Sequence, residues 1–268
     1  MNGTTQAASP RFDAPAQVSA RASPSSRLVC MSEYTCVPPT LYDELLSLVP
    51  GELHQEPGEV FYSGATAFQQ PSRLYLMGFN PGGDPANEAL TQYTIGADLE
   101  ASRDPRRGDW SGFDDDWREF GPGAVAFQRR VRHLLTSCGI ADPRRVPASN
   151  AVFVRSTRVA TLDARRSEAL LHLCWPVHER VISALAVPVV VCFGQAAGQW
   201  VRAQVGAMNA AAIDTFVEDN QRRWRSTTHR GRDGIQVVTL THPSVADWTN
   251  PRTDPTMLVV EALERATR

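Results

Sequence analysis

Four short apolar runs, rich in β-branched residues and separated by amphipathic segments, constrain this chain more than any other feature. They are "RLYLMGF" ending at Phe79, "SNAVFVRS" starting at Ser149, "VPVVVCFG" ending at Gly194, and "IQVVTLTHPS" ending at Ser244. Runs of this length, bounded by turn-forming residues, read as buried strands. Between them, "AVAFQRRVRHLLTSCG" reads as a helix ending at Gly139, "SEALLHLCWPVHERVISAL" as a helix that Pro176 should kink or break, and "QAAGQWVRAQV" and "DPTMLVVEALERA" as two more. The stretch "WRSTTHRGRDGIQVVTLTHPS" reads as a hairpin leading into the fourth run. Strands alternating with helices predict an α/β fold, a parallel sheet covered on both faces, in which ligands bind at the carboxyl ends of the strands.

The 268 residues, 42% of them hydrophobic, suffice for one large core, expected to span residues 31–268. Residues 1–30 are rich in Ala, Ser, Pro and Thr and have no apolar block, so a disordered tail is expected there. Arg11, Arg21 and Arg27 against Asp13 are compatible with a mitochondrial transit peptide, whereas the missing apolar core excludes a signal peptide. No apolar stretch reaches membrane-spanning length. Cys30, Cys36, Cys138, Cys174 and Cys192 contain no C-x-x-C pair, the pattern of reduced thiols in an intracellular, cytoplasmic protein. A formal charge of -2 excludes a uniformly basic surface, but local arginine clusters such as "FQRRVRH", "DPRRVP" and "QRRWRSTTHRGR" are candidates for phosphate contacts.

At the end of the first run the sequence reads "GFNPGG". Pro81 fixes its own φ and pushes Asn80 toward extended geometry, so one asparagine is locked in a rigid turn at a strand's carboxyl end. "THPS" leaves the fourth run in the same way and carries His242. Taken in order, "GFNPG", "SNAVFVR", "VVCFGQAA" and "THPS" resemble the uracil-DNA glycosylase superfamily from about Arg73 onward. They are similar above all to its mismatch-specific and single-strand-selective monofunctional branches.

The resemblance implies a three-layer α/β/α sandwich around a central four-stranded parallel sheet, and hydrolysis of the N-glycosidic bond of uracil or a related deaminated base in DNA. Breaking that bond builds positive charge on the sugar and negative charge on the departing base. Asn80 would hold a water for C1′ through its amide oxygen, and His242 would donate a hydrogen bond to the base oxygen that becomes anionic. Asn150 would read the base edge, with Gly78, Phe79, Pro81 and Gly82 shaping the base pocket. Ser244 would cap the following loop or meet a phosphate, and Val245 or Trp248 would fill the gap left by a flipped base.

The segment 84–123 is longer than the family pattern and offers Trp110, Phe113, Trp117 and Phe120 as aromatic platforms. Phe120 is the choice by position, with the Asp114–Asp116 run marking a lid as the other reading of the segment. Ser149 stands where the iron-sulfur branch carries a cysteine, so no cluster, metal or organic cofactor is expected.

All 27 Lys+Arg residues are arginine. Without lysine there is no usual amine for a Schiff base, so water should be the nucleophile and the product an intact abasic strand. The expected partner is DNA, bound by a monomer. The alternatives are a superfamily member that binds nucleic acid without catalysis and a same-fold hydrolase acting on a small nucleoside or nucleotide.

Overall fold

The computed structural model describes residues 37–38, 40–87, 92–116, 120–157 and 163–267. The expected disordered tail, Cys30, Cys36 and Trp117 lie outside the described residues.

Three of the apolar runs supply β1 (Tyr75–Gly78), β3 (Val189–Phe193) and β6 (Gln236–Leu240), and the second only begins within β2 (Ala148–Asn150), its apolar residues 151–154 following the strand. These four strands pair in parallel, β2 on β1, β1 on β3, and β3 on β6. The sheet does not stop there. β5 (Arg225–Arg230) pairs antiparallel with β6, and β4 (Asp214–Val217) antiparallel with β5, giving the order β2-β1-β3-β6-β5-β4. The expectation of a four-stranded, purely parallel sheet is therefore corrected to a mixed sheet of six strands. The β5–β6 hairpin was legible, but β4 was not. Its "DTFV" is short and half-buried, so it lacks the continuous apolar character of a strand covered on both faces.

Alternate residues of the parallel strands enter two separate cores. Tyr75, Met77, Val190, Cys192 and Val237 face one way, where they pack with buried residues of α1 (Leu41–Ser47), α4 (Ala164–Ala184) and α5 (Gln195–Gln204). Leu76, Val191, Phe193, Val238 and Leu240 face the other, against α3 (Ala126–Ser137) and α6 (Thr256–Ala266). Burial on both faces explains why β1 and β3 are apolar throughout instead of alternating, and why the polar residues of β2 and β6 are buried as well.

α4 begins at Asp163, whose side chain accepts from the Arg166 N–H, and continues without a break past Pro176. Leu170, Leu171 and Cys174 before the proline and Val177 and Val181 after it all enter the same core, and this burial offsets the backbone bond that proline cannot make. Within the insertion, α2 (Ile95–Ser102) is capped by Thr94 Oγ1. Asp114 and Asp115 are both paired to Arg144, which ties the segment to the turn before β2.

Candidate functional site

Three strand ends converge on one side of the sheet. Gly78 closes β1 and lies in register with Asn150, which is therefore the last residue of β2. The apolar pattern had placed Asn150 near the start of its strand, but the strand runs from Ala148 and ends there. A Cβ on Gly78 would overlap Asn150 Oδ1, so glycine is what allows the carboxamide to lie across the end of β1. β3 ends at Phe193, and Gly194, at φ 95°, turns the chain into α5 while its N–H donates to Leu240 O at 2.8 Å. That bond ties the end of β3 to the end of β6, two residues before His242.

These ends enclose a cavity of about 400 Å³, lined by Asn80, Asn150 and His242 together with Tyr62, Phe113, Phe127 and Phe193. The aromatic rings form a continuous wall. Tyr62 and Phe113 lie 6.4 Å apart, Phe113 and Phe127 6.1 Å, and Phe127 and His242 5.9 Å between centroids. A few polar groups against an apolar wall is the composition of a site that takes a flat, partly polar ligand.

Asn80 is held by its amide nitrogen. Nδ2 donates to Pro81 O at 2.9 Å and to Ser156 Oγ at 2.8 Å, with Ser156 O at 3.4 Å. Backbone carbonyls only accept, so these contacts fix which end of the amide is nitrogen. Oδ1 is left as the acceptor facing away from this clamp. The loop behind it is braced by Arg155, which is buried and bonds Gly82 O.

The tautomer of His242 follows from similar reasoning. The Ser244 backbone N–H donates to Nδ1 at 3.1 Å, and Ser244 Oγ lies 2.7 Å from the same atom. A backbone N–H cannot accept, so Nδ1 is unprotonated and the neutral ring carries its proton on Nε2. Burial lowers the ring's pKa from 6.5 to about 4, which keeps it neutral at physiological pH. The site thus presents a neutral N–H donor, held by a loop that Arg130 and Arg222 brace through Pro243 O (2.5 Å) and Val245 O (2.9 Å).

Asn150 is buried, and one of its two Nδ2 hydrogens goes to Tyr62 Oη at 2.9 Å. Its other N–H and Oδ1 are the groups that remain for a ligand edge. Ser149, the neighbour expected to mark the absence of an iron-sulfur ligand, donates its hydroxyl to Val60 O.

Of the other residues singled out in the sequence, Gly82 and Ser244 line the cavity. Phe79 is buried in the core and Pro81 is buried beneath Asn80, so these two support the turn and do not line the space. Phe120 is 48% exposed and outside the lining, whereas Phe113, otherwise buried, lines the cavity. Trp248 is corrected most clearly. It is fully buried, donates Nε1–H to Thr241 O at 3.1 Å and packs 5.6 Å from Phe193, so it cannot enter a duplex. Val245 is 50% exposed at the rim.

The sequence reading missed Tyr62, Ser156, Phe127 and Phe193. Tyr62 precedes β1, outside the resembling span, and Phe127 sits inside an arginine cluster that drew attention to its charges. Ser156 carried no signal at all, since a serine that clamps an asparagine is defined only by its distance.

Among the described residues no group of three or more His, Cys, Asp or Glu is arranged to hold a metal ion, and no helix is long and apolar enough to cross a membrane. Cys138, Cys174 and Cys192 are buried free thiols, and burial raises the pKa of all three. No protein-family model matches the chain, and no curated protein does so either.

Proposed function

We propose that this chain is a monofunctional DNA glycosylase that hydrolyses the N-glycosidic bond of uracil or a related deaminated base. The observation that carries this reading is the convergence of Asn80, Asn150 and His242, from three strand ends far apart in sequence, on one aromatic-walled cavity. The four parallel strands with helices on both faces also agree with the α/β/α framework of the uracil-DNA glycosylase superfamily, in which DNA is the substrate.

Each polar group has a distinct part in the reaction. Asn80 Oδ1, fixed by the clamp on Nδ2, accepts from a water and directs it at C1′. As the bond breaks, the electron pair leaves with the base, and His242 Nε2–H donates to the oxygen where that charge collects. A neutral donor that need not reorganise stabilises the developing anion more than the neutral base. Asn150 offers an acceptor and an N–H to the base edge, a pattern that uracil matches and cytosine reverses. The flat base lies along the wall of Phe113 and Phe127. With no lysine in the chain, water adds to C1′ and its proton is lost to the departing base anion through solvent, which leaves a neutral free base and an abasic strand.

Purified protein incubated with oligonucleotides carrying uracil, hypoxanthine or xanthine tests the reading. Free base and a strand that breaks only on alkali treatment are expected, with no borohydride-trapped adduct. Failure to release any of the three bases would overturn the reading, and a trapped adduct at turnover rates would overturn its monofunctional part.

A further inference from the structure

A second cavity, of about 580 Å³, adjoins the site and shares His242 with it. It is built largely from the antiparallel extension of the sheet, with Thr215 on β4 and Arg225, Thr227 and His229 on β5, together with Arg202 on α5. Among the described residues that line it, the charged ones are Arg202 and Arg225, with no carboxylate. Arg202 Nη1 donates to His229 Nε2 at 2.9 Å, while His229 Nδ1 lies 3.0 Å from Ala210 O. A carbonyl accepts and a guanidinium donates, so His229 is a neutral ring with its proton on Nδ1. It orients the arginine without neutralising it.

The aromatic part of the wall is Trp224, 39% exposed. The Arg222 guanidinium lies 4.2 Å from the centre of its ring and is not itself part of the cavity lining. Through its Nη1 bond to Val245 O, Arg222 also ties this indole to the loop that carries His242. An uncompensated pair of arginines beside a braced, accessible indole is the combination that holds a phosphate and stacks a base.

We propose that this cavity is a subsite for an unpaired nucleotide of the same DNA strand, next to the one excised, with its phosphate against Arg202 and Arg225 and its base on Trp224. The assignment of the strand rests on the glycosylase reading; the chemistry of the subsite does not. The nucleotide must be unpaired because both faces of a base inside a duplex are already covered by its neighbours. The subsite thereby favours single-stranded or opened DNA.

Binding of the full chain to a labelled, unmodified single-stranded oligonucleotide and to the matching duplex, read by fluorescence anisotropy, tests this. Trp224→Ala should weaken single-strand binding about tenfold, in line with the loss of one stacked base, and Trp224→Phe should restore most of it. Duplex binding should change less than about twofold, since a paired base has no free face to stack. Arg225→Gln should reduce the slope of log affinity against log salt by about 0.7, the contribution of one single-strand phosphate.

Equal single-strand affinities for the wild type and Trp224→Ala would overturn the subsite. So would equal losses on both DNA forms, or no single-strand binding by the wild type. Base release from a uracil-containing oligonucleotide, followed in parallel, separates the two proposals. A chain that shows the Trp224 dependence but releases no base keeps the subsite and loses the glycosylase reading. A chain that releases base while Trp224→Ala binds normally loses only the subsite.

Discussion

The two ends of the parallel sheet each carry a concavity, and the larger one is at the amino end, opposite the carboxyl ends at which sheets of this kind bind ligands. At the amino end, Glu179, Arg230, Arg232, Asp233 and Arg265 border a groove of about 860 Å³. Its charges are of both signs, and Arg265 is already engaged by Asp214 at 2.6 Å and by Gln236 at 2.9 Å. At the carboxyl end the cavity has less than half that volume, yet three strands each deliver one polar group into it. Convergence of fixed, neutral donors and acceptors marks a site better than volume does. Parallel strands produce that convergence because all of their carboxyl ends open on the same side.

The sharpest way to break this contrast is Asn80→Ala. Loss of water positioning should lower single-turnover base release on the order of 10²-fold or more, with DNA affinity almost unchanged. Unaltered turnover would remove the carboxyl end from its role.

Proton linkage gives the next largest effect. His178 is fully buried, 2.8 Å from Tyr75 Oη, and burial lowers its pKa from 6.5 to about 4. Between those values the unfolded chain binds a proton that the folded chain refuses, so stability should be complete above pH 6.5 and fall as the pH drops toward 4. The shift corresponds to about 3 kcal/mol for this one group. A urea midpoint that stays constant from pH 7 to 4.5 would contradict it. His242 is lowered in the same direction, so turnover should show no inflection near pH 6.5; a turnover that falls as the pH rises through 6.5 would mean that the ring works as a cation.

Tyr62→Phe, which removes the hydroxyl partner of Asn150, should cost about 1 kcal/mol, or roughly fivefold in kcat/KM for uracil, and reduce discrimination against cytosine. Equal discrimination by the variant would show that Asn150 is positioned without Tyr62. The smallest effects should come from the other end of the sheet and from the discarded aromatic. Arg232→Gln and Phe120→Ala are each expected to leave base release within about twofold of the wild type. A large loss from Arg232→Gln would mean that the amino-end groove takes part after all.

Much of the framework was readable along the chain. Three of the four apolar runs became parallel strands, because burial on both faces leaves a largely continuous hydrophobic signature, whereas the second run was misplaced: β2 is the short Ala148–Asn150 and the apolar residues 151–154 follow it. Asn80 and His242 were readable because proline and glycine mark the turns that hold them. Trp248 was misread for the opposite reason. Its position after "THPS" suggested an exposed tip, but nothing local shows that the chain folds back and buries the ring against Phe193.

The sequence by itself determined the parallel α/β framework, the two rigid strand-end turns and, through the absence of lysine, the nucleophile that a glycosylase of this composition would have to use. These depend on period, on backbone restriction and on which functional groups exist, all of which are local or compositional properties. Only the tertiary structure decided that Ser156 clamps Asn80, that Tyr62 holds Asn150 across a glycine, that Phe113 and Phe127 form the wall, and that β4 and β5 add a second cavity beside His242. Those relations join residues from separate elements, and they exist only after packing has set distances that no local pattern encodes.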